Sequence, residues 1–254
     1  MNNTHNTHNI YIPQKIPAIF SWSGGKDSSY ALYKIIQEGV YEVKYLLSTF
    51  NGHYKRLSMH GVRETLIETQ ADSIGIPLIK VYVYEADNAE YEHQMHTVLS
   101  KAKHEGIHHV IFGDIFLEDL RQYREQQMAK INMSCVFPLW KLDTTDLINN
   151  FIKQGFKTML CCINDGYLDK SWCGRVIDEQ FIDDLPKTVD ACGEHGEFHS
   201  YCFAAPIFKY AIPVVAGEIV YKPLAIKLSD HPTPIKDVGT KGFWFCDIQI
   251  LALI

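Results

Sequence analysis

The chain has 254 residues, 46% of them apolar and 21% charged, ordinary values for a globular protein with a buried core. They exclude a disordered chain, a collagen and a small disulfide scaffold. With 24 basic against 30 acidic residues the net charge is −6, without the basic surplus of a sequence-independent nucleic-acid binder, so nucleic acid is not an expected partner.

Residues 1–15 read as a disordered polar tail in which His5 and His8 are solvated rather than metal ligands. The tail has no apolar h-region, so it is not an export signal. The most apolar stretch, 242–254, is too short for a membrane span and contains Asp247 and Gln249. Seven cysteines with no C-x-x-C pair then predict reduced thiols and a cytoplasmic location.

From residue 16 to 140 the pattern alternates. Residues 18–22 are an apolar run. A helix over 26–37 carries Ala31, Leu32, Ile35 and Ile36 on one stripe and ends at Gly39. A strand over 43–50 precedes a helix over 60–74, with Val62, Leu66, Ala71 and Ile74 inward and Gly75 and Pro77 as its stop. There follow a strand at 78–83, a helix at 91–103, a buried strand at 110–113 and a charged helix at 117–131. Strands separated by such helices predict parallel βαβ units, which bind ligands at the carboxyl ends of their strands. Beyond residue 141 the reading changes to a helix at 144–154, a strand at 157–163, a short helix at 178–184, and strand-like runs at 197–204, 214–228 and 243–253. This predicts an α/β fold of two domains: a nucleotide-binding domain over 16–140 and a smaller mixed α/β domain over 141–254 that takes the substrate.

The strongest chemical signal is Ser23-Gly24-Gly25-Lys26-Asp27-Ser28, between the first strand and the first helix. Two glycines let backbone approach an anion, the serines add hydroxyls, the helix N-terminus offers free N–H groups, and Lys26 adds charge. The segment is not a Walker A loop, because Asp27 follows Lys26 and Phe20 holds the earlier glycine position. Nor is it G-x-G-x-x-G.

The S-G-G-K-D-S segment resembles the pyrophosphate loop of the PP-loop ATP pyrophosphatases, which implies a Rossmann-like parallel sheet of the PP-loop/HUP type, ATP split between its α and β phosphates, and Mg²⁺ carried by the phosphates. Further segments extend the likeness: Ser58-Met59-His60-Gly61-Val62, Gly113-Asp114-Ile115, Leu120-Arg121-Gln122-Tyr123-Arg124-Glu125, Pro138-Leu139-Trp140 and Cys192-Gly193-Glu194-His195-Gly196-Glu197-Phe198. In this order they resemble the diphthine–ammonia ligase family over nearly the whole chain. The resemblance implies adenylation of the diphthine carboxylate on elongation factor 2, followed by attack of ammonia and release of AMP. His195 stands where better-known members usually carry Gly. Other carboxylate acceptors, a tRNA-modifying enzyme and a non-catalytic ATP sensor are the competing readings. A homodimer is compatible with all of them.

Within this frame Ser23, Gly24, Gly25, Lys26, Asp27 and Ser28 are expected on the phosphates, with Asp27 either capping the helix or meeting them through Mg²⁺. Ser48, Phe50, Met59 and His60 are expected near the nucleotide, His60 being equally a plain helix start. Lys26, Asp114, Glu194 and Glu197 are the catalytic candidates. The two glutamates either take a proton from ammonium or meet a cationic substrate; the alternative is an exposed turn. Arg121, Arg124, Trp140, His195 and Phe198 are the substrate-binding candidates, Trp140 and Phe198 by cation–π contact. Arg121 and Arg124 are equally a solvated face pairing with Glu118 and Glu125. No side-chain metal set has a recognised spacing. With no glutaminase domain in view, free ammonium is the expected nitrogen donor.

Overall fold

A computed structural model describes residues 14–84, 88–224 and 239–251. The histidine-bearing tail, the end of the 214–228 run and the last residues of the 243–253 run lie outside these.

The chain opens with β1 (Ile16–Ser21), whose Ala18, Ile19 and Phe20 are completely buried, as expected for a strand covered on both faces. It continues through α1 (Lys26–Glu38), β2 (Tyr41–Asn51), β3 (Arg56–Leu57), α2 (Glu64–Ile74), β4 (Leu78–Val83), α3 (Asn88–His104), β5 (His109–Ile111), α4 (Glu118–Lys130) and β6 (Ser134–Val136). The parallel strands lie in the order β4-β2-β1-β5-β6, and β3 folds back antiparallel on the end of β2. The chain leaves β1 for β2 on one side and reaches β5 on the other. That reversal makes the carboxyl end of β1 the switch point where such sheets bind ligands.

The second half contains α5 (Thr144–Lys153), β7 (Lys157–Asn164), α6 (Glu179–Asp184), β8 (Phe198–Ala204), β9 (Val214–Val215), β10 (Ile219–Pro223), β11 (Gly242–Cys246) and β12 (Gln249–Ile250). An antiparallel sheet runs β10-β11-β7-β8, and β12 pairs with β9. One core cluster joins Ala31, Leu32 and Ile35 of α1 to Phe151, Phe156 and Leu160, so the second half packs directly on the first. A separate cluster lies under α3 and α4 on the other face of the parallel sheet, around Ile19, Val110, Leu99 and Met128. Among the described residues no helix is long and apolar enough to cross a membrane.

Four expectations need correction. The second helix begins at Glu64, not at residue 60, because Met59 and Gly61 adopt positive φ (64° and 71°) and hold 58–63 in a turn. Ile36 is exposed, at 42%, since the inward stripe of α1 is Ala31, Leu32 and Ile35. The 214–228 run breaks at Gly217, where a Cβ would run into the Asp247 carbonyl. The strand-like run at 243–253 likewise divides into β11 and β12 at the Asp247–Ile248 step.

Candidate active site

The loop between β1 and α1 is an open cradle. Gly24 has φ +69°, and a Cβ there would collide with Gln70 and Ile67. Gly25 caps α1 without a side-chain cap bond of its own, so the positive end of the helix is not covered by its own cap residue. The Ser23 hydroxyl donates to Ser28 Oγ (3.1 Å) and accepts weakly from the Gly25 N–H (3.4 Å). Gly113, two residues past the end of β5, lies close beneath: a Cβ there would be 3.1 Å from the Ser28 nitrogen.

Strand β8 from the second half holds this loop from the side. The Cys202 N–H donates to the Gly24 carbonyl (2.8 Å) and the Lys26 N–H to Ser200 Oγ (3.2 Å). Gln70, fully buried on α2, accepts from Trp22 Nε1 (3.0 Å) and donates to the carbonyls of Gly24 (2.9 Å) and Cys202 (2.6 Å). Each of these buried polar groups is satisfied, so the loop is rigid before any ligand arrives.

Lys26 is buried, and its ammonium pairs with Asp27 Oδ2 at 2.8 Å. Burial works against the ammonium, but Asp27, Cys192 and Glu194 more than offset it, so the proton is held more firmly than usual. Burial pushes the Asp27 carboxyl up against the pull of Lys26. Its Oδ1 is buried with no hydrogen-bond partner beyond its own residue.

A cavity of about 620 Å³ opens beside the loop, a size suited to a small organic ligand. It is lined by Ser21, Trp22 and Ser23, by Leu47, Thr49 and Asn51 of β2, by Ser58, Met59 and His60, and by Asn88, Tyr91 and Arg124 from α3 and α4. Ser48 and Phe50 do not line it. Side chains alternate along a strand, and the other parity faces the cavity. The Ser48 hydroxyl donates to the Trp22 carbonyl (2.6 Å), and Phe50 is wholly buried beside Tyr82. Met59 is 75% exposed at the rim.

The Gly-Glu-His-Gly-Glu turn splits its two acids. Glu197 is fully buried; its Oε1 accepts from the Asp190 N–H (2.9 Å) and its Oε2 from the His195 N–H (2.7 Å). This carboxylate clamps the turn and does not face the cradle. Glu194 instead lies within electrostatic reach of Lys26, Asp27 and Asp114, and burial, then Asp27, pushes it up to about 8. His195 is exposed, with its ring 5.7 Å from Phe116. Phe198 is buried against Phe181, and its ring lies 5.4 Å from the Lys26 ammonium. It is a wall behind the lysine rather than an open aromatic face.

Asp114 and Arg124 form one ion pair at 2.7 Å, with the guanidinium over the Phe112 ring. Arg121 pairs with Glu125 at 2.8 Å and lies 4.5 Å over Trp140. The expected cation–π face of Trp140 is therefore occupied by an arginine of the same chain.

The sequence reading missed His199. It sits two residues past Glu197 on β8, with its ring 4.6 Å from that of His60. Burial, then His199, holds His60 well below its ordinary value; burial, then Lys26, pushes His199 down to about 4. Both imidazoles are neutral at pH 7. The period-2 pattern of residues 197–204 was the available signal for His199. Thr49, Asn51, Asn88 and Tyr91 were hidden because only assembly of the sheet selects the face that opens on the cavity.

Comparison with known proteins completes the picture. A model for the diphthamide synthase N-terminal domain matches residues 16–134, and one for the diphthamide synthase C-terminal domain matches 143–227. The chain is 26% identical over 223 residues to the diphthine–ammonia ligase of Homo sapiens, covering 78% of this chain and 82% of that protein. It is 25% identical over 252 residues to that of Bos taurus, covering 85% and 93%. The Mus musculus protein of the same name is 26% identical over 222 residues, covering 78% and 82%. Matched by both domain models in order and along most of its length, the chain belongs to the diphthamide synthase family.

Proposed function

We propose that this protein is an ATP-dependent, AMP-forming ligase that converts a carboxylate into its amide with ammonia. The observation that carries the reading is the rigid cradle of Ser23 to Ser28 at the carboxyl end of β1, beside a cavity of about 620 Å³ and facing a carboxylate of raised proton affinity, Glu194.

A carboxylate oxygen attacks the α-phosphorus, the bond to the β-phosphate breaks, and pyrophosphate leaves into the loop. Ammonia then attacks the acyl carbon, the acyl–oxygen bond breaks, and AMP departs. Two anionic products favour the positive cradle that Lys26 and the helix end provide. Glu194 takes the proton that the attacking nitrogen sheds, a role its position just above neutrality suits. Mg²⁺ fits beside the loop through Asp27, whose Oδ1 is buried without an outside partner; when bound it would neutralise phosphate charge. His60 lines the nucleotide cavity as a neutral imidazole and adds no charge there.

Ammonium is the nitrogen donor. Releasing ammonia from glutamine commonly uses a thiolate, and burial pushes every one of the seven thiols up, Cys192 included. The relatives' name supplies the acceptor, diphthine; elongation factor 2 as its carrier is what the family resemblance implies.

The test is product analysis with ATP, Mg²⁺ and ammonium, with and without diphthine-bearing elongation factor 2. AMP and pyrophosphate formed only with the modified factor is the expected result. ADP formation, or intact ATP under every condition, overturns the reading.

A further inference from the structure

Behind the nucleotide cavity lies a second one, of about 420 Å³, which the reaction as derived above does not use. Asn51, Leu57, Ser58 and Met59 line both, so the two adjoin along the hairpin that ends β2. The far wall is the face of the antiparallel sheet, with His199 on β8, Phe243 and Phe245 on β11, and Lys222 on β10. The imidazoles of His60 and His199 are tilted against each other with ring centres 4.6 Å apart, His60 lining the first cavity and His199 the second.

The charge of this second cavity is one-sided. Among the described residues no aspartate or glutamate lines it, whereas Arg56 and Lys222 do. Arg56 is matched only in part: its guanidinium donates to the Gly61 carbonyl (2.7 Å) and to Asp247 Oδ1 (2.7 Å), and Arg63 binds the same aspartate. Two guanidinium groups thus share one carboxylate, leaving a positive surplus. Lys222 has no ion pair among the described residues; its ammonium lies 5.2 Å from the Phe245 ring centre and 5.8 Å from that of Tyr54. Those aromatic faces would otherwise suit a quaternary ammonium. Here a cation of the chain already sits over them.

We infer that the second cavity is the acceptor's seat and is built for an anion: it receives a carboxylate end beside Lys222 and Arg56. This rests on the ligase reading and names the chemistry of its acceptor site. The adjacency along Asn51, Leu57, Ser58 and Met59 places a carboxylate next to the nucleotide's phosphates.

The test is a binding measurement that needs no turnover. The full chain is saturated with Mg²⁺ and the α,β-methylene analogue of ATP, which fills the first cavity. Glutarate and choline are then titrated separately at constant ionic strength by saturation-transfer NMR, with wild type, Lys222→Gln and Lys222→Glu. Glutarate is expected to bind the wild type, about fivefold more weakly to Lys222→Gln and still more weakly to Lys222→Glu. Analogue affinity is expected to be equal in all three, which also reports that the variants fold. Preference for choline, glutarate binding insensitive to both substitutions, or no glutarate binding to wild type overturns the inference. A chain that binds glutarate through Lys222 yet makes no AMP with any acceptor leaves the seat standing and removes the ligase reading instead.

Discussion

The loop at residues 23–28 and the turn at 190–197 lie within electrostatic reach of each other through Lys26 and Glu194, yet they are built on opposite principles. The loop is local. The anion-cradle role proposed for it follows from consecutive residue types, because backbone N–H groups, a helix end and two glycines would do the binding. The turn is not local. Glu194 and Glu197 are three residues apart and chemically identical, but Glu197 spends both oxygens on the backbone amides of Asp190 and His195, while Glu194 faces the loop. Two side chains that look like a pair thus divide into a scaffold and a candidate base. The lesson is that spacing identifies backbone-built sites, whereas burial assigns roles to side chains.

The sharpest way to break this contrast is to exchange the two acids for amides. Glu194→Gln is expected to lower amide formation about 10²-fold or more with little change in ATP affinity, measured by separate binding and turnover assays. If Glu197→Gln produced the same kinetic profile at normal stability, the division of roles would be wrong.

Next in size is the loop itself. Lys26→Ala and Asp27→Ala are each expected to weaken ATP binding or turnover at least about tenfold, and a variant with wild-type kinetics would refute the phosphate assignment. Gly24→Ala tests the backbone part, since its Cβ has no room beside Gln70. Its expected signature is loss of ATP binding together with a lower Tm.

The pH dependence sharpens the turn's side of the comparison. Glu194 acts as a base only when ionised, so turnover at a fixed concentration of free ammonia should rise with pH and level off above about 8, and Glu194→Gln should remove that limb. The stability sign is the reverse. The folded state favours the protonated form, so this group costs nothing below its unfolded value and destabilises the fold as pH rises toward 8. Glu194→Gln should therefore raise Tm at pH 9 and leave it unchanged near pH 4.5. An equal Tm at both pH values would show that Glu194 is solvated.

Glu197→Gln is expected to lower stability by about 2 kcal/mol, because a buried carboxylate loses one of two charge-assisted bonds. Denaturant unfolding measures it. The smallest effect is that of Arg121→Ala, at most about 1 kcal/mol, since its ion pair with Glu125 is largely exposed. A large effect of Arg121→Ala on turnover would return it to the substrate-binding group.

The sequence by itself determined the parallel βαβ order, the strand–loop–helix setting of residues 23–28 and the side of the sheet on which that loop opens. These rest on periodicity, on Gly24 and Gly25, and on the strand–loop–helix succession, all encoded by near neighbours. The structure had to decide what depends on distant partners. It selected Thr49 and Asn51 over Ser48 and Phe50, a choice of strand parity that no local pattern fixes. It paired Asp114 with Arg124 and laid Arg121 over Trp140, turning four separate candidates into two matched sets. It also brought β8 across more than a hundred residues to clamp Gly24 and Lys26, and with it His199 against His60. Side-chain roles were hidden for one physical reason. A carboxylate, an imidazole or an aromatic ring takes its chemistry from what buries and pairs it, and those partners lie far away along the chain.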